Sequence, residues 1–441
     1  MGHSVTKIAM QLKSGDAKQM EKAAEAVVSV ACTEPAKREA LVQAGCVAPL
    51  VQMLTSSSAR AREHSAAALG HLALGVDNKA KIAEAGAIKP LVELTKGSSA
   101  ACKSAAATAL SSLASKSPSN QASIAKAGGI PALVALVKDE ELHAMARTWA
   151  SAALGNLANP DNDSRIVQSG GIEALVELLI FLLPHGVQAP SVLESFGISC
   201  QRRKPVGHLD GEWTDKGKEW VTKAISALAY NRPENQKLLG AAGAITPLVQ
   251  HMRIGSPSGR LEATRALGNL VGGCDENKDR IRDAGGVSVL LNLLDVAKMP
   301  AQGKDLAAGL IGSIAGRNRE SQVAVAAAGA IPRLIFFLHA DSAAGRAHAA
   351  LALGKIAEGF PENQTKVGEA GGVLQLVRLG QVALAQLKRS VSRAICMVAD
   401  GHEENTRRVA EAGGLSLEEY AAIASNTMRL ADDAVPPEAG D

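Results

Sequence analysis

Aromatic side chains are nearly missing from this chain: Phe, Trp and Tyr together make up 2% of its 441 residues, while hydrophobic types as a whole reach 46%. The interior must then be built from Ala, Leu, Ile and Val, which suits closely stacked helices rather than a core plugged by large rings. Cysteine pairs are missing too. Cys32, Cys46, Cys102, Cys200, Cys274 and Cys396 are scattered with no C-x-x-C spacing. That argues against a disulfide framework or a zinc site and for free thiols in a reducing compartment, so the expected location is cytoplasmic. Charge imbalance is small, at a net +3, and no sequence-independent attraction to nucleic acid follows. The most apolar run, Leu175 to Leu183, is interrupted by Glu177 and falls far short of the roughly 20 residues a membrane span needs. The N-terminus does not read as a secretory signal. Neither H-E-x-x-H nor G-x-S-x-G occurs. Gly309, Gly312 and Gly316 fall within a helical pattern, with no preceding strand to make a phosphate loop. No catalytic residue, metal site or cofactor is expected.

What the chain has is repetition. A small residue, Gly, another small residue and then Ile, Val or Leu recur at Gly45, Gly86, Gly128, Gly170, Gly243, Gly285, Gly329, Gly371 and Gly413, with successive spacings of 41, 42, 42, 73, 42, 44, 42 and 42. Eight positions before each glycine stands a polar residue: Asn78, Asn120, Asn162, Asn235, Asn277, Asn363 and Asn405, with Lys37 and Ser321 as exceptions. Such a period marks a repeat architecture and governs every other reading. In the copy from Asn235, the asparagine reads as a helix N-cap, followed by a short helix over Gln236–Ala242. Gly243 stops it in the left-handed conformation. A second helix carries Pro247 in its first turn and then Leu248, Val249 and Met252. After a turn at Gly255–Gly259, a third helix over about Arg260–Val271 places Leu261, Thr264, Leu267 and Leu270 on one face. No single copy can bury its apolar face alone, but stacked copies can.

The A-G-[AG]-[IV]-x-P-L-V opening of the second helix and the L-G-N-L of the third (Leu154–Leu157, Leu267–Leu270) resemble armadillo repeats, from roughly Val5 to Gly414. The resemblance implies an all-α, right-handed superhelix, an α-solenoid of about nine three-helix repeats, acting in protein–protein interaction. HEAT repeats share the length but usually lack this glycine and the three-helix grammar. In its regularity, and in a start Met-Gly-His-Ser-Val-Thr that fits the N-myristoylation pattern at Gly2, the chain is similar to vacuolar-type armadillo scaffolds. Those also carry acylated cysteines nearby, and Cys32 lies too far along to replace them. The other reading of the start is a plain Met-Gly before a capping helix with Ser4 or Thr6 as N-cap.

Residues 1–45 read as a partial repeat that begins late: Val5–Leu12 as second helix, Lys13–Asp16 as turn, Ala17–Ala31 as third helix. Residues 46–414 form the solenoid. The spacing of 73 leaves 31 extra residues, placed at about 182–214, between a second helix at Leu175–Leu179 and a third that resumes near Lys216. With Pro184, Pro190, Pro205 and the basic Arg202-Arg203-Lys204, this stretch reads as a disordered loop. It stands as a docking loop, a neutral insertion or a translated intron. Residues 415–433 read as a capping helix, with Glu418 and Glu419 in its first turn, and 434–441 as a frayed tail.

In the resembling family, third helices line a concave groove. Its ladder positions here are Ser29, His71, Ser112, Asn156, Ala227, Asn269, Ser313, Lys355 and Met397, and residues four and seven earlier share their face. The candidate binding residues are Trp149, Asn156, Trp220, Lys223, Arg265, Asn269, Lys355 and Arg393. Trp149 and Trp220 hold equivalent positions in neighbouring repeats; they serve either as exposed anchors or as packing against the preceding repeat. Asn can bond both N–H and C=O of an extended backbone. Lys22, Lys223, Arg265, Lys355 and Arg393 outnumber Glu25 and Glu262, so the expected guest is an extended acidic or phosphorylated segment of a partner protein, not nucleic acid. A membrane enters only if Gly2 is acylated. An importin-α-like transport adaptor is the further alternative; there a Trp stands four residues before each ladder Asn, where this chain has Ala152 and Arg265.

Overall fold

The computed structural model describes residues 5–184, 211–316 and 318–425, which hold 28 helices and no strand. The chain divides into two compact units, Met1–Leu228 and Ala229–Asp441. The first contains a two-helix start, Val5–Leu12 and Ala17–Thr33, and then four three-helix repeats. The first of these is Lys37–Gln43, Val47–Met53 and Ala59–Leu72; the fourth is Asp163–Gln168, Gly171–Leu182 and Gly211–Ala229. The second unit contains four more repeats, from Pro233–Ala241 to Ala385–Ala399, and ends on Glu403–Glu411 and Leu417–Ser425. The nine copies of the glycine thus give eight complete repeats and an incomplete ninth.

The glycine reading holds. All nine repeat glycines have φ between +73° and +83°, a left-handed conformation that an L side chain adopts only with strain; the next helix starts within two residues of the first eight, and at Leu417 after Gly413. The asparagine reading does not. Asn235 lies inside the helix Pro233–Ala241, whose N-cap is Arg232, and Asn277 and Asn363 are likewise internal and fully buried. Proline at the first turn (Pro118, Pro233, Pro361) starts several of these helices in place of a side-chain cap. The asparagine amide instead turns inward and ties three segments together. Asn277 Nδ2 donates to Leu270 O at 2.8 Å, in the last turn of the preceding third helix, and to Gln236 O at 2.9 Å, one repeat back. Asn405 does the same to Val398 O (3.0 Å) and Gln364 O (2.8 Å), Asn363 to Ile356 O (2.9 Å) and Gln322 O (3.3 Å), and Asn120 to Leu113 O (3.1 Å) and Lys79 O (3.3 Å). Helix C-termini leave carbonyls unpaired, and this amide satisfies one of them at six joints, Asn78 (to Leu72 O) and Asn162 (to Leu157 O) included.

Third helices stack on third helices through the glycine of L-G-x-L. A Cβ on Gly70, Gly155, Gly312 or Gly354 would lie 3.1, 2.9, 2.8 or 3.1 Å from the Cα of Ala109, Ala224, Ala352 or Ala394. Around these contacts Leu69, Leu110, Leu154, Leu267 and Leu353 are fully buried, each contributing about 1.5–3 kcal/mol. Gly268 is different: a Cβ there would meet nothing within 4 Å. Gly316 is not inside its helix as expected but caps it, at φ +47°.

Three boundaries move. The third helix of the fifth repeat begins at Pro257, not Arg260, because Ser256 is its N-cap, accepting from Gly259 N at 3.0 Å. In the fourth repeat the second helix runs to Leu182 and the third begins at Gly211 rather than near Lys216, so the insertion expected at 182–214 is narrower at both ends. Its body, with Arg202-Arg203-Lys204, lies outside the described residues, as do Gly2, the end of the expected 415–433 helix and the tail 434–441.

Candidate functional site

In the first unit, Trp149 on the helix Ala144–Leu157 meets Trp220 on Gly211–Ala229, with ring centroids 4.2 Å apart and planes tilted by 34°. Both rings are half-buried, so each keeps part of its surface in water. They contact each other across two repeats and form a plate. The plate is braced from the opposite side of its helix. Buried Arg147 donates from Nε to Val137 O at 2.8 Å and lies 5.0 Å from the Phe181 ring centre, joining third helix to second helix and to the next repeat. Burial lowers the Arg147 pKa, while Glu140, Asp139 and Glu177 act against that; burial raises the Glu177 carboxyl.

Asn156, two turns beyond Trp149, is half-buried and its Nδ2 donates to Ser111 O at 3.0 Å and Ser111 Oγ at 3.2 Å. Its donor thus serves the neighbouring third helix, which leaves the amide oxygen as the group on offer. Lys223, one turn beyond Trp220, is exposed. On the second repeat the equivalent positions hold Ala105, Thr108 and Ser112, so the plate rises beside a floor of small side chains. On the first they hold His64, Ala67 and His71, and burial followed by the Arg38 guanidinium lowers the His71 pKa. Nearby, Lys103 pairs with Asp139 at 2.8 Å, and that hydrogen bond holds the Asp139 carboxyl below its usual range.

The second unit presents a more polar third-helix face. Arg265 is already engaged: Nη2 donates to Gln302 Oε1 at 3.2 Å and Nε is 3.8 Å from Glu262 Oε2. This pairing cancels one of the expected cations against one of the two acids. Asn269 and Lys355 are half-buried and Arg393 is exposed. Met397, placed on the ladder by spacing, is buried instead, its sulfur pressed toward Gly354. His348 packs its ring against Gly309, and its Nδ1 is buried without a hydrogen bond. Burial lowers the His348 pKa, against the opposing field of Asp305.

Sequence reasoning missed the asparagine ties and the Arg147 brace. The first had a signal, because an asparagine behind a proline already inside the helix cannot be its cap. Among the described residues no group of three or more His, Cys, Asp or Glu could hold a metal ion, and no helix is long and apolar enough to cross a membrane.

Stacked three-helix repeats with left-handed glycine joints define an α-solenoid. The armadillo/β-catenin-like repeat model matches residues 34–74, 75–115 and 232–272. An engineered protein solved by the Northeast Structural Genomics Consortium is 27% identical, superposes with a TM-score of 0.80, and is matched over 96% of this chain and 98% of its own. A designed armadillo repeat protein in complex with peptide (KR)4 matches 61% of this chain and all of its own, at 22% identity and a TM-score of 0.48. No curated protein matches the sequence. The chain carries armadillo-like repeats and has the fold of an armadillo-repeat solenoid.

Proposed function

We propose that this protein is a non-enzymatic interaction scaffold that captures an extended segment of a partner protein on its third-helix face. The observation that carries the reading is the Trp149–Trp220 plate: two of the chain's three tryptophans stacked at 4.2 Å with ring surface left in water. Large rigid rings that are only partly covered are the commonest binding anchors, because they gain contact area at little entropic cost. Asn156 offers an amide oxygen to a backbone N–H, and exposed Lys223 favours a carboxylate or phosphate nearby. The guest is therefore an acidic or phosphorylated segment with an apolar residue for the plate. A cytoplasmic location belongs to this proposal; five described cysteines, all free thiols, support it. The membrane-tethered and import-adaptor readings gain no support from the described residues.

The test is selection from a displayed random-peptide library on the full chain, then titration of the selected peptides. Enrichment of Asp, Glu or phosphomimetic sequences with an aromatic or aliphatic residue, and binding weakened about tenfold or more by Trp149→Ala with Trp220→Ala, is expected. Enrichment of basic peptides, or binding indifferent to both substitutions, would sink the proposal.

A further inference from the structure

The turn between second and third helix is apolar and exposed in the eighth repeat. In the first, second, fifth and seventh repeats it supplies a capping serine, Ser58, Ser99, Ser256 and Ser342, each accepting a hydrogen bond from the first turn of the third helix; the third repeat uses His143, and the sixth starts on Pro300 with no side-chain cap. In the eighth repeat the turn is Val382-Ala383-Leu384, and Leu384 is the N-cap of Ala385–Ala399, with no side-chain cap. Val382 is 78% exposed and Leu384 86% exposed. The chain has given up a helix cap and placed two large apolar side chains in water at the same spot. Two large apolar side chains exposed at an uncapped helix start, with no local gain, point to a use outside the fold.

The two residues rim a concavity of about 480 Å³ in the second unit, whose wall includes Leu338, Leu379 and Leu387 from the seventh and eighth repeats. The repeat around it is basic: from Gly371 to Ala399 the chain has Arg378, Lys388 and Arg389, besides Arg393 on the third-helix face, and no acidic residue. Arg378 is exposed and one turn from Val382 on the same helix face. Arg346 lines the concavity, held by Ala340 O and Asp341 O, with His339 beside it. Asp341, exposed in the turn that holds Arg346, is an acid beside this surface.

We propose that this edge is a second docking surface, separate from the third-helix face, which takes an acidic amphipathic segment of a partner protein: an apolar side chain seated between Leu384 and Leu387, with carboxylates against Arg378 and its basic neighbours. A concave apolar floor within a basic rim fits a protruding side chain flanked by carboxylates better than a flat lipid surface.

The experiment uses the full chain and a fluorescein-labelled amphipathic peptide of leucine and glutamate, its leucine–lysine counterpart, and phosphatidylserine vesicles. Saturable, salt-sensitive binding of the glutamate peptide is expected, with neither the lysine peptide nor the vesicles competing. Leu384→Ser should weaken it about tenfold while raising the melting temperature, because it restores a cap as it removes the anchor. That pairing separates lost binding from lost folding. Arg378→Glu should weaken binding further, and both effects should persist in the Trp149→Ala, Trp220→Ala background, which removes the third-helix plate as a second site for the same acidic peptide. No binding, equal binding of the lysine peptide, indifference to Leu384→Ser, or preference for the vesicles would each overturn the proposal.

Discussion

At the scale of the residue, the buried asparagine separates two accounts by its substitutions. A helix N-cap tolerates Ser almost as well as Asn. A side chain that reaches two carbonyls on different helices does not, because Ser is too short. Asn277→Ala should destabilise by about 2–3 kcal/mol, leaving buried carbonyls unpaired, and Asn277→Ser should cost nearly as much. Urea unfolding of both variants checks this, and rescue by Ser would restore the capping account. Glycines divide in the same way. Gly312→Ala should destabilise, since its Cβ would lie 2.8 Å from the Ala352 Cα, whereas Gly268→Ala, with nothing within 4 Å, should stabilise by about 0.5–1 kcal/mol. Both glycines stand in third helices at the same position of the repeat, and sequence alone gives them one meaning. What separates them is the approach of the neighbouring helix, which is a property of packing.

At the scale of the element, most of the fold was legible. The apolar periods and the glycine stops gave the three-helix order of the repeat and placed Val5–Leu12, Ala17–Thr33 and the helices around Gly243 within about three residues. The errors have physical causes. Ser256-Pro257 was read as turn because proline and glycine crowd there, although Ser followed by Pro is itself a helix start. Gly211–Ala229 begins earlier than Lys216 because Gly211 and Trp213 fit no stripe that periodicity could detect. The third helices also carry a pH dependence. His348 lies against the helix that bears Gly309 and Asp305, and its pKa is lowered by burial. Its unfolded form, with a pKa of about 6.5, takes a proton first. Stability should therefore be full above that pH and fall as pH drops through it. Thermal melts at pH 7.5 and 5.5 should show the loss, with His348→Leu reducing it; an unchanged difference would assign the effect to other groups, His71 first.

At the scale of the whole molecule, the chain has the logic of repeat proteins, in which each repeat is held by its neighbours. Among the described helices, Val5–Leu12 and Leu417–Ser425 are the first and last in the stack. Amide hydrogen exchange should therefore be faster in Val5–Leu12 and Leu417–Ser425 than in Ala100–Ala114 or Ala343–Ala357, and uniform protection would argue for a single cooperative core. The candidate site was half legible. The equivalence of Trp149 and Trp220 follows from counting residues, but their direct stacking, the engagement of Asn156 with Ser111 and the pairing of Arg265 with Glu262 depend on side-chain reach, which spacing does not encode.

The claim that decides the functional account is that the tryptophan plate binds rather than supports. It is tested by measuring, on one sample of the Trp149→Ala and Trp220→Ala double variant, both the unfolding free energy and the affinity for a library-selected peptide. Half-buried rings should cost about 1–2 kcal/mol in stability, well below the 3–5 kcal/mol of a core tryptophan, while affinity falls about tenfold or more. A loss of stability in the core range with peptide affinity intact would contradict the account and make the plate a structural joint between the third and fourth repeats.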